Sequence, residues 1–219
     1  MSNASFNSNP PHIAIIDDDP SVRRSLGMLL ETRAWTYTEY ERASDFLEET
    51  AATKFNCLLI DIRIPGVSGL ELFEELKRRS RISGDYLPPA LFLSGHGDIP
   101  MVVHALKQGA ADFLEKPVDH RTLIDAISKA IASDKENRQS FNSIAKLSAE
   151  IAELTLRERE VLTEIVAGHL SKQIAAHLNI STKTVETHRL HICQKFNVRT
   201  SMELAAKLRD VPTTLWRKS

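Results

Sequence analysis

Cysteine is scarce in this chain of 219 residues, which contains only Cys57 and Cys193. Two cysteines do not make a disulfide framework, and they favour a reducing compartment, so we expect a cytoplasmic protein. No apolar run approaches the roughly 18 residues that predict a membrane span, and we expect no membrane partner. Residues 1–10 are polar and lack the apolar core of a signal peptide, so we expect them to be disordered.

Proline and glycine are both absent between Val118 and Ala167. Such a long span without helix breakers is unusual between domains, and apolar residues recur in it at roughly helical spacing. We predict a domain at 11–132, a helical linker at 133–153 and a second domain at 154–219. A flexible polar linker around 133–143 is the alternative, because that stretch interrupts the apolar stripe.

The net charge of −1 hides an asymmetry along the chain. Residues 1–119 carry 12 basic and 18 acidic side chains, whereas residues 155–219 carry 11 basic and 6 acidic ones. An acidic first domain and a basic second domain indicate different partners, and nucleic acid suits the basic one.

Five short runs in the first domain alternate with helical patterns. The predicted strands are 12–16, 36–40, 57–60, 90–94 and 112–115. The predicted helices are 20–33, 43–51, 69–79, 99–109 and one from about 119. Strands that alternate with helices predict a parallel sheet. We therefore expect α/β plus all-α architecture: a five-stranded (βα)5 doubly wound domain, then a four-helix domain.

Charged and polar residues follow four of the five predicted strands, at the edge where open α/β sheets bind ligands. They are Asp17, Asp18, Asp61, Ser94 and Lys116. Each has a structural explanation when taken alone, since carboxylates cap helices and polar residues end strands. Asp19, beside Pro20 at a helix start, is assigned to capping for this reason.

Three carboxylates at one edge repel one another unless a cation lies between them. Oxygen ligands that leave room for water suit Mg²⁺, which we predict as the cofactor. A metal and Lys116 would neutralise phosphoryl oxygens and leave Asp61 free to attack phosphorus in line. The pattern therefore indicates a phosphoryl transfer to Asp61, whose product would be an aspartyl phosphate.

The stretches "GHGDIPM" and "ALKQGAADFLEKP", together with these acidic residues, resemble the receiver domain of two-component response regulators, and its FixJ-like branch most closely. The resemblance covers about residues 11–132. It implies that Asp61 is the phosphoacceptor and that Mg²⁺ is held by Asp17, Asp18, Asp61 and the backbone carbonyl of Arg63. It implies four residues that contact or respond to the phosphoryl group: Lys116, Ser94, Gly95 and Phe113. The segment "RRSRISGDYLPPA" before the fourth strand is longer than usual for this family.

The second domain has the pattern of a helix-turn-helix. Thr155 and Glu158 predict a capping box at the start of its first helix. Ser171 is predicted to cap a short helix, and a further helix runs from about Thr182 to Phe196. Two short helices joined by a tight turn place the second in the DNA major groove. A small helical protein-interaction domain is the alternative.

The segments "LTLREREVL" and "IAAHLNISTKTVETHRLHI" resemble the LuxR/NarL-type output domain over almost all of residues 154–208. The resemblance favours double-stranded promoter DNA as the partner. The predicted DNA-binding residues are Lys183, Thr184, Glu186, Thr187 and Arg189, with Lys172, His188 and Lys195 facing phosphates. Glu186 either accepts from a cytosine amino group or pairs with a neighbouring basic side chain. The histidines at 169, 177, 188 and 191 do not fit zinc-site spacing, and we expect them to be solvated or to face phosphate.

Together these resemblances imply a transcriptional response regulator and not an enzyme. A sensor histidine kinase would phosphorylate Asp61, the phosphorylated chain would form a homodimer on DNA, and RNA polymerase is a further partner of this class. Two rival hypotheses stay open. One is a phosphatase or phosphotransferase, which needs a general acid two residues after the nucleophile, where Arg63 stands. The other is a constitutive DNA-binding protein whose first domain only dimerises.

Overall fold

The computed structural model describes residues 9–49, 51–95, 99–209 and 211. The chain forms two compact units, Met1–Gln139 and Ser140–Ser219. The expected disorder at 1–10 concerns a segment of which residues 1–8 lie outside the described residues.

The first unit is built on a parallel five-stranded sheet with the strand order β2-β1-β3-β4-β5. The strands are β1 (His12–Ile16), β2 (Thr36–Tyr40), β3 (Cys57–Asp61), β4 (Ala90–Ser94) and β5 (Asp112–Glu115). The strand positions predicted from the sequence are confirmed, with β3 one residue longer. All residues of β3 and β4 are buried, as expected for central strands covered on both faces.

Helices cover both faces of the sheet. They are α1 (Pro20–Glu31), α2 (Ala43–Glu49), α3 (Gly69–Ser83), α4 (Ile99–Lys107) and α5 (His120–Ala152), with a short 3₁₀ turn at Ala52–Lys54. Alternate residues of each strand point to opposite faces. Ile16 and Ile60 therefore pack with α2, α3 and α4, whereas Ile15 and Leu59 pack with α1 and α5. The doubly wound α/β class is confirmed.

The boundaries of four helices differ from the prediction. The helices α1 and α4 each end two residues earlier than predicted, α2 reaches Glu49 with residue 50 outside the described residues, and α3 runs four residues further than predicted, to Ser83. The segment expected to be a long loop therefore begins as the last turn of α3. Gly84 ends that turn with φ of +73°, a left-handed conformation that glycine adopts without strain.

The helix α5 is 33 residues long, and the predicted linker 133–153 lies within it except for its last residue. A buried ion pair anchors its middle to the first unit. Asp134, which is 1% exposed, accepts from Asn56 Nδ2 at 2.9 Å and from Arg138 Nη2 at 3.0 Å. Two of the polar residues that interrupt the apolar stripe, Asp134 and Arg138, are thus themselves packing contacts.

Arg138 adds further contacts at the same place. Its guanidinium donates to the carbonyl oxygens of Thr53 (3.0 Å) and Phe55 (2.8 Å), just before β3. The guanidinium also stacks 4.5 Å from the centre of the Tyr86 ring. Burial, and then the nearby Asp134 carboxylate, raise the pKa of Tyr86 to about 12, so its hydroxyl stays neutral. The segment after α3 therefore supplies the aromatic face on which this arginine rests.

The second unit contains the end of α5 and four further helices among the residues that the structure describes. They are α6 (Leu156–Val166), α7 (Ser171–Leu178), α8 (Thr182–Lys195) and α9 (Ser201–Lys207). Their core includes Val161, Ile174, Val185, Ile192 and Phe196, each with no exposed surface. The predicted capping box of Thr155 and Glu158 is present.

One predicted helix cap in this unit is wrong. Ser171 is the first residue of α7, and Leu170 occupies the N-cap position. An apolar side chain cannot accept a hydrogen bond from the helix. The Gln173 side-chain oxygen instead accepts from the Leu170 backbone N–H at 2.8 Å. The hydroxyl of Ser171 is used elsewhere, as an acceptor for Arg189.

The ion pair of α5 gives a stability prediction. Arg138→Met removes the cation and leaves the Asp134 carboxylate buried, so the free energy of unfolding of the first unit should fall by about 2 kcal/mol. Urea-dependent hydrogen exchange of the β3 amides measures this change. Lys135→Met is the matched control, because Lys135 is exposed on the same helix. Equal stability of the two variants would contradict a structural role for the pair.

Candidate functional site

Two buried carboxylates lie side by side at the carboxyl edge of the sheet. The strands β1 and β3 pair in register, with Ile16 opposite Ile60, so Asp17 and Asp61 follow as neighbours. Asp17 is 1% and Asp61 7% exposed. Asp18 is the least buried of the three aspartates, and carboxylate oxygens of all three lie within 4.8 Å of one another.

Lys116 brings an ammonium group from the end of β5 into this cluster. Its Nζ lies 2.7 Å from Asp17 Oδ2 and 3.2 Å from Asp61 Oδ2. Burial alone would lower the pKa of Lys116, but its bonds to Asp17 and Asp61 outweigh burial and raise it. The lysine is therefore charged at neutral pH. The peptide bond from Lys116 to Pro117 is cis.

Asp17 is held from several sides. Its Oδ1 accepts from the Asp19 backbone N–H at 2.9 Å, and its backbone oxygen accepts from Arg23 Nη1 at 2.7 Å. Burial is the largest influence on this carboxyl and raises its pKa, although Lys116 acts in the opposite direction. A carboxyl with a raised pKa is one whose charged form is poorly satisfied by the protein alone.

The residues present fit a hard divalent cation. Three carboxylates carry more negative charge than the single ammonium of Lys116 can balance. Their oxygens lie close enough to share one ion, and oxygen donors of this kind suit Mg²⁺. Asp19 does not belong to this group, because its side chain accepts from the Ser21 N–H at 2.8 Å and caps α1 as predicted.

The other predicted receiver residues lie around the same edge. Ser94, the last residue of β4, is fully buried, and its hydroxyl donates to the Gly95 oxygen at 3.2 Å. Phe113 pairs in register with Phe92 and is half-buried. Arg63 stands two residues beyond Asp61, in the loop after β3, with an exposed side chain.

Sequence reasoning missed two residues that position this cluster, Arg23 and Gly69. Arg23 donates a hydrogen bond to the Asp17 backbone oxygen, and its side chain is only 12% exposed. Gly69 begins α3 directly against the end of β3. A Cβ added at Gly69 would lie 2.1 Å from the Asp61 backbone oxygen, so any side chain there would displace Asp61. No sequence pattern marks either contact.

The second unit presents a polar helix to solvent. Ser181 caps α8 by accepting from the Thr184 N–H at 3.0 Å, and Val185 turns inward. The predicted DNA-binding residues that are exposed are Lys172, Lys183, Thr184, Glu186, Thr187 and Lys195. His188 is half-buried. Lys183, Thr184, Glu186 and Thr187 lie in the first two turns of α8, the part that faces base edges in helix-turn-helix proteins.

Two of the predicted DNA-binding residues have partners inside the unit. Arg189 donates to Ser201 Oγ (3.1 Å) and Ser171 Oγ (3.0 Å), and so ties α8 to α7 and α9. Lys195 Nζ lies 2.8 Å from Glu158 Oε2, and Glu158 is 4% exposed. Their charges are already used in packing, a role that the sequence did not reveal.

The fold and the acidic cluster define a class of protein, the response regulators. Residues 13–128 match the family model "response regulator receiver domain". Residues 152–208 match that of "bacterial regulatory proteins, luxR family".

Known proteins that resemble the whole chain narrow this class. The chain is 39% identical to the transcriptional regulatory protein FixJ of Azorhizobium caulinodans over 90% of both chains. It is 37% identical to the transcriptional regulatory protein TdiR of Thauera aromatica, over 92% of this chain and 86% of that one.

Two solved structures of response regulators also match most of the chain. The response regulator StyR matches with a TM-score of 0.75 and 39% identity, over 92% of this chain and 99% of that chain. Full-length FixJ from B. japonicum matches with a TM-score of 0.56 and 33% identity, over 92% and 97%. The chain therefore belongs to the FixJ/NarL-type response regulators, whose members are transcriptional regulators and not enzymes. Among the described residues, no helix is long and apolar enough to cross a membrane.

The ion pair between buried Glu158 and Lys195 predicts a pH dependence. Burial would raise the pKa of Glu158, but the bonds from Lys195 and Thr155 outweigh burial and lower it. A lowered folded-state pKa means that the carboxylate stabilises the unit above its unfolded pKa of about 4.3. This stability is lost as the pH falls through the folded pKa.

Lys195→Met should therefore lower the free energy of unfolding of the second unit by about 2 kcal/mol at neutral pH, and the difference from the wild type should shrink as the pH falls through the folded-state pKa of Glu158. Urea-dependent hydrogen exchange of the α6 amides, repeated across pH, measures both effects. Lys146→Met, an exposed lysine on α5, is the control. Unchanged stability with weaker DNA binding would instead assign Lys195 to phosphate contact.

Proposed function

We propose that the protein is switched by phosphorylation of Asp61, donated by a sensor histidine kinase in the cytoplasm, and that the switched form binds promoter DNA. The proposal rests on one observation above all. Three carboxylates and a charged lysine share one edge of the sheet, in a chain whose second domain belongs to a DNA-binding family.

Asp61 acts as the nucleophile in the proposed reaction. One of its oxygens attacks the phosphorus of a phosphohistidine on the kinase, the P–O bond forms as the P–N bond breaks, and the departing imidazole keeps the electron pair. Lys116, 3.2 Å from Asp61 Oδ2, is placed to hold a phosphoryl oxygen by charge. Mg²⁺, when held by the three aspartates and the Arg63 carbonyl, supplies further positive charge to the phosphoryl oxygens.

The proposed switch begins with the new charge at Asp61. A phosphoryl group adds oxygens that are strong hydrogen-bond acceptors. The Ser94 hydroxyl then exchanges its hydrogen bond to the Gly95 oxygen for one to the phosphoryl group. Movement of Ser94 frees space at the end of β4, and Phe113 on β5 turns inward. The altered surface then favours a homodimer, which places two helix-turn-helix domains on two half-sites.

DNA contact is proposed for the exposed residues of α7 and α8. Lys183, Thr184 and Thr187 face base edges, while Glu186 is suited to accept from a cytosine amino group. Lys172 and His188 face phosphates, which position the domain without reading sequence. Arg189 and Lys195 are left out of this set because of their bonds within the unit. RNA polymerase is a partner of the DNA-bound form.

Asp61→Asn tests the proposal. A small phosphodonor with Mg²⁺ should raise the affinity of the wild-type chain for selected genomic fragments by roughly 5- to 150-fold, the usual range of allosteric coupling. The variant should not respond, because an amide cannot form the acyl phosphate. Fluorescence anisotropy with labelled fragments measures the affinities.

Asp19→Asn is the matched control for this experiment. Asparagine keeps the helix cap, and Asp19 lies outside the carboxylate cluster, so this variant should respond like the wild type. A donor-independent affinity that is the same for wild type and Asp61→Asn would support the rival hypothesis of a constitutive DNA-binding protein.

Lys172→Ala tests the DNA interface separately. Loss of one phosphate contact should weaken binding to all sequences equally and reduce the slope of log affinity against log salt by about 1. Titrations at several salt concentrations measure the slope. Lys146→Ala removes another exposed lysine, from α5, and should leave the slope unchanged. An unaltered slope in Lys172→Ala would remove this residue from the interface.

A further inference from the structure

A second cluster of potential metal ligands lies in the second unit, far along the sequence from the aspartates. Glu164 is on α6, His169 is in the turn that follows, and His177 is on α7. Nδ1 of His169 lies 2.8 Å, and Nδ1 of His177 2.7 Å, from the same oxygen, Glu164 Oε2. The two imidazole rings meet edge to face with centroids 4.9 Å apart.

This arrangement differs from an ordinary histidine–carboxylate pair. In the first unit, His104 and Glu74 form such a pair, with one imidazole on one carboxylate. Around Glu164, two imidazole nitrogens converge on a single oxygen, and all three ligand atoms lie within 4.8 Å of one another. A metal ion between them would replace the two N–H protons with one cation and satisfy the same three atoms.

The surroundings favour a bound cation. The side chains of Glu164, His169 and His177 are 21%, 36% and 48% exposed. An ion can therefore enter from solvent and keep a water molecule as its fourth ligand.

The scaffold holds these ligands at nearly the right separation. Glu164 precedes Ile165, which is 4% exposed, and α7 is anchored through fully buried Ile174. Tetrahedral Zn²⁺ with bonds of about 2.0–2.1 Å needs ligand atoms about 3.3 Å apart. The nitrogen–oxygen distances of 2.7 and 2.8 Å therefore have to widen by about half an ångström, which side-chain rotation at the surface supplies.

We propose that Glu164, His169 and His177 form a binding site for a transition-metal cation of the Zn²⁺ type. Two imidazoles and one carboxylate suit such an ion better than Mg²⁺, which prefers oxygen ligands. The bound ion links the end of α6 to α7, the first helix of the helix-turn-helix, and stabilises that unit. The site does not depend on phosphorylation of Asp61.

Zinc titration of the full-length chain tests this site. Saturating Mg²⁺ is present to occupy the aspartate cluster, and calorimetry follows the addition of Zn²⁺. The wild type should bind one Zn²⁺ at the cluster and show a higher unfolding temperature of the second unit, because the ion binds the folded state. His169→Gln and His177→Gln should each lower the affinity at least about tenfold, since glutamine can still donate to Glu164 but is a poor zinc ligand.

His191→Gln is the matched control, because His191 is exposed on α8 and outside the cluster, and it should bind Zn²⁺ like the wild type. The ¹⁵N resonances of the histidines are measured on the wild-type chain, so this test does not depend on whether a variant folds. Those of His169 and His177 should move on zinc addition while that of His191 does not. Unchanged resonances at positions 169 and 177, or wild-type affinity in both glutamine variants, would overturn the proposal.

Discussion

Mutual repulsion among carboxylates at one sheet edge is the constraint around which the first unit is arranged. Asp17 and Asp61 are forced together because β1 and β3 are paired in register, and burial deprives both of water. Lys116, which follows β5 at the same edge of the sheet, offsets part of this repulsion. Arg23 holds the Asp17 backbone, and Gly69 leaves room for the Asp61 backbone. Each of these contacts makes sense as support for a negatively charged site that gains from additional positive charge.

The second unit shows a different use of charge. Its excess of basic residues predicted DNA binding, yet several of these cations have partners inside the unit. Lys195 neutralises buried Glu158, Arg189 joins three helices, and Lys207 bonds Glu150 and the Phe196 oxygen. We therefore propose that the surface that binds DNA is smaller than the sequence charge indicates, and that it centres on the exposed start of α8 and on Lys172.

Much of the fold was predictable because its signals are local. Short runs of four or five residues between helical patterns defined the strands, and Asp19 before Pro20 defined the start of α1. The error at Ser171 has a physical cause, since a hydroxyl at a helix start is usually a cap, whereas here a distant arginine takes it as an acceptor. The predicted end of α3 fell four residues short although Gly84, a glycine directly after the helix, is the usual mark of a helix end.

The sequence by itself determined which aspartates, which serine and which lysine follow or end the strands. It also determined which segments carry the helix-turn-helix pattern. Those features follow from periodicity and from the rule that parallel strands share one carboxyl edge. Only the tertiary structure decided that Gly69 touches the Asp61 backbone, that Arg138 rests on Tyr86, and that two histidines meet Glu164. Such contacts join residues that no periodic pattern relates, because they depend on where whole helices pack.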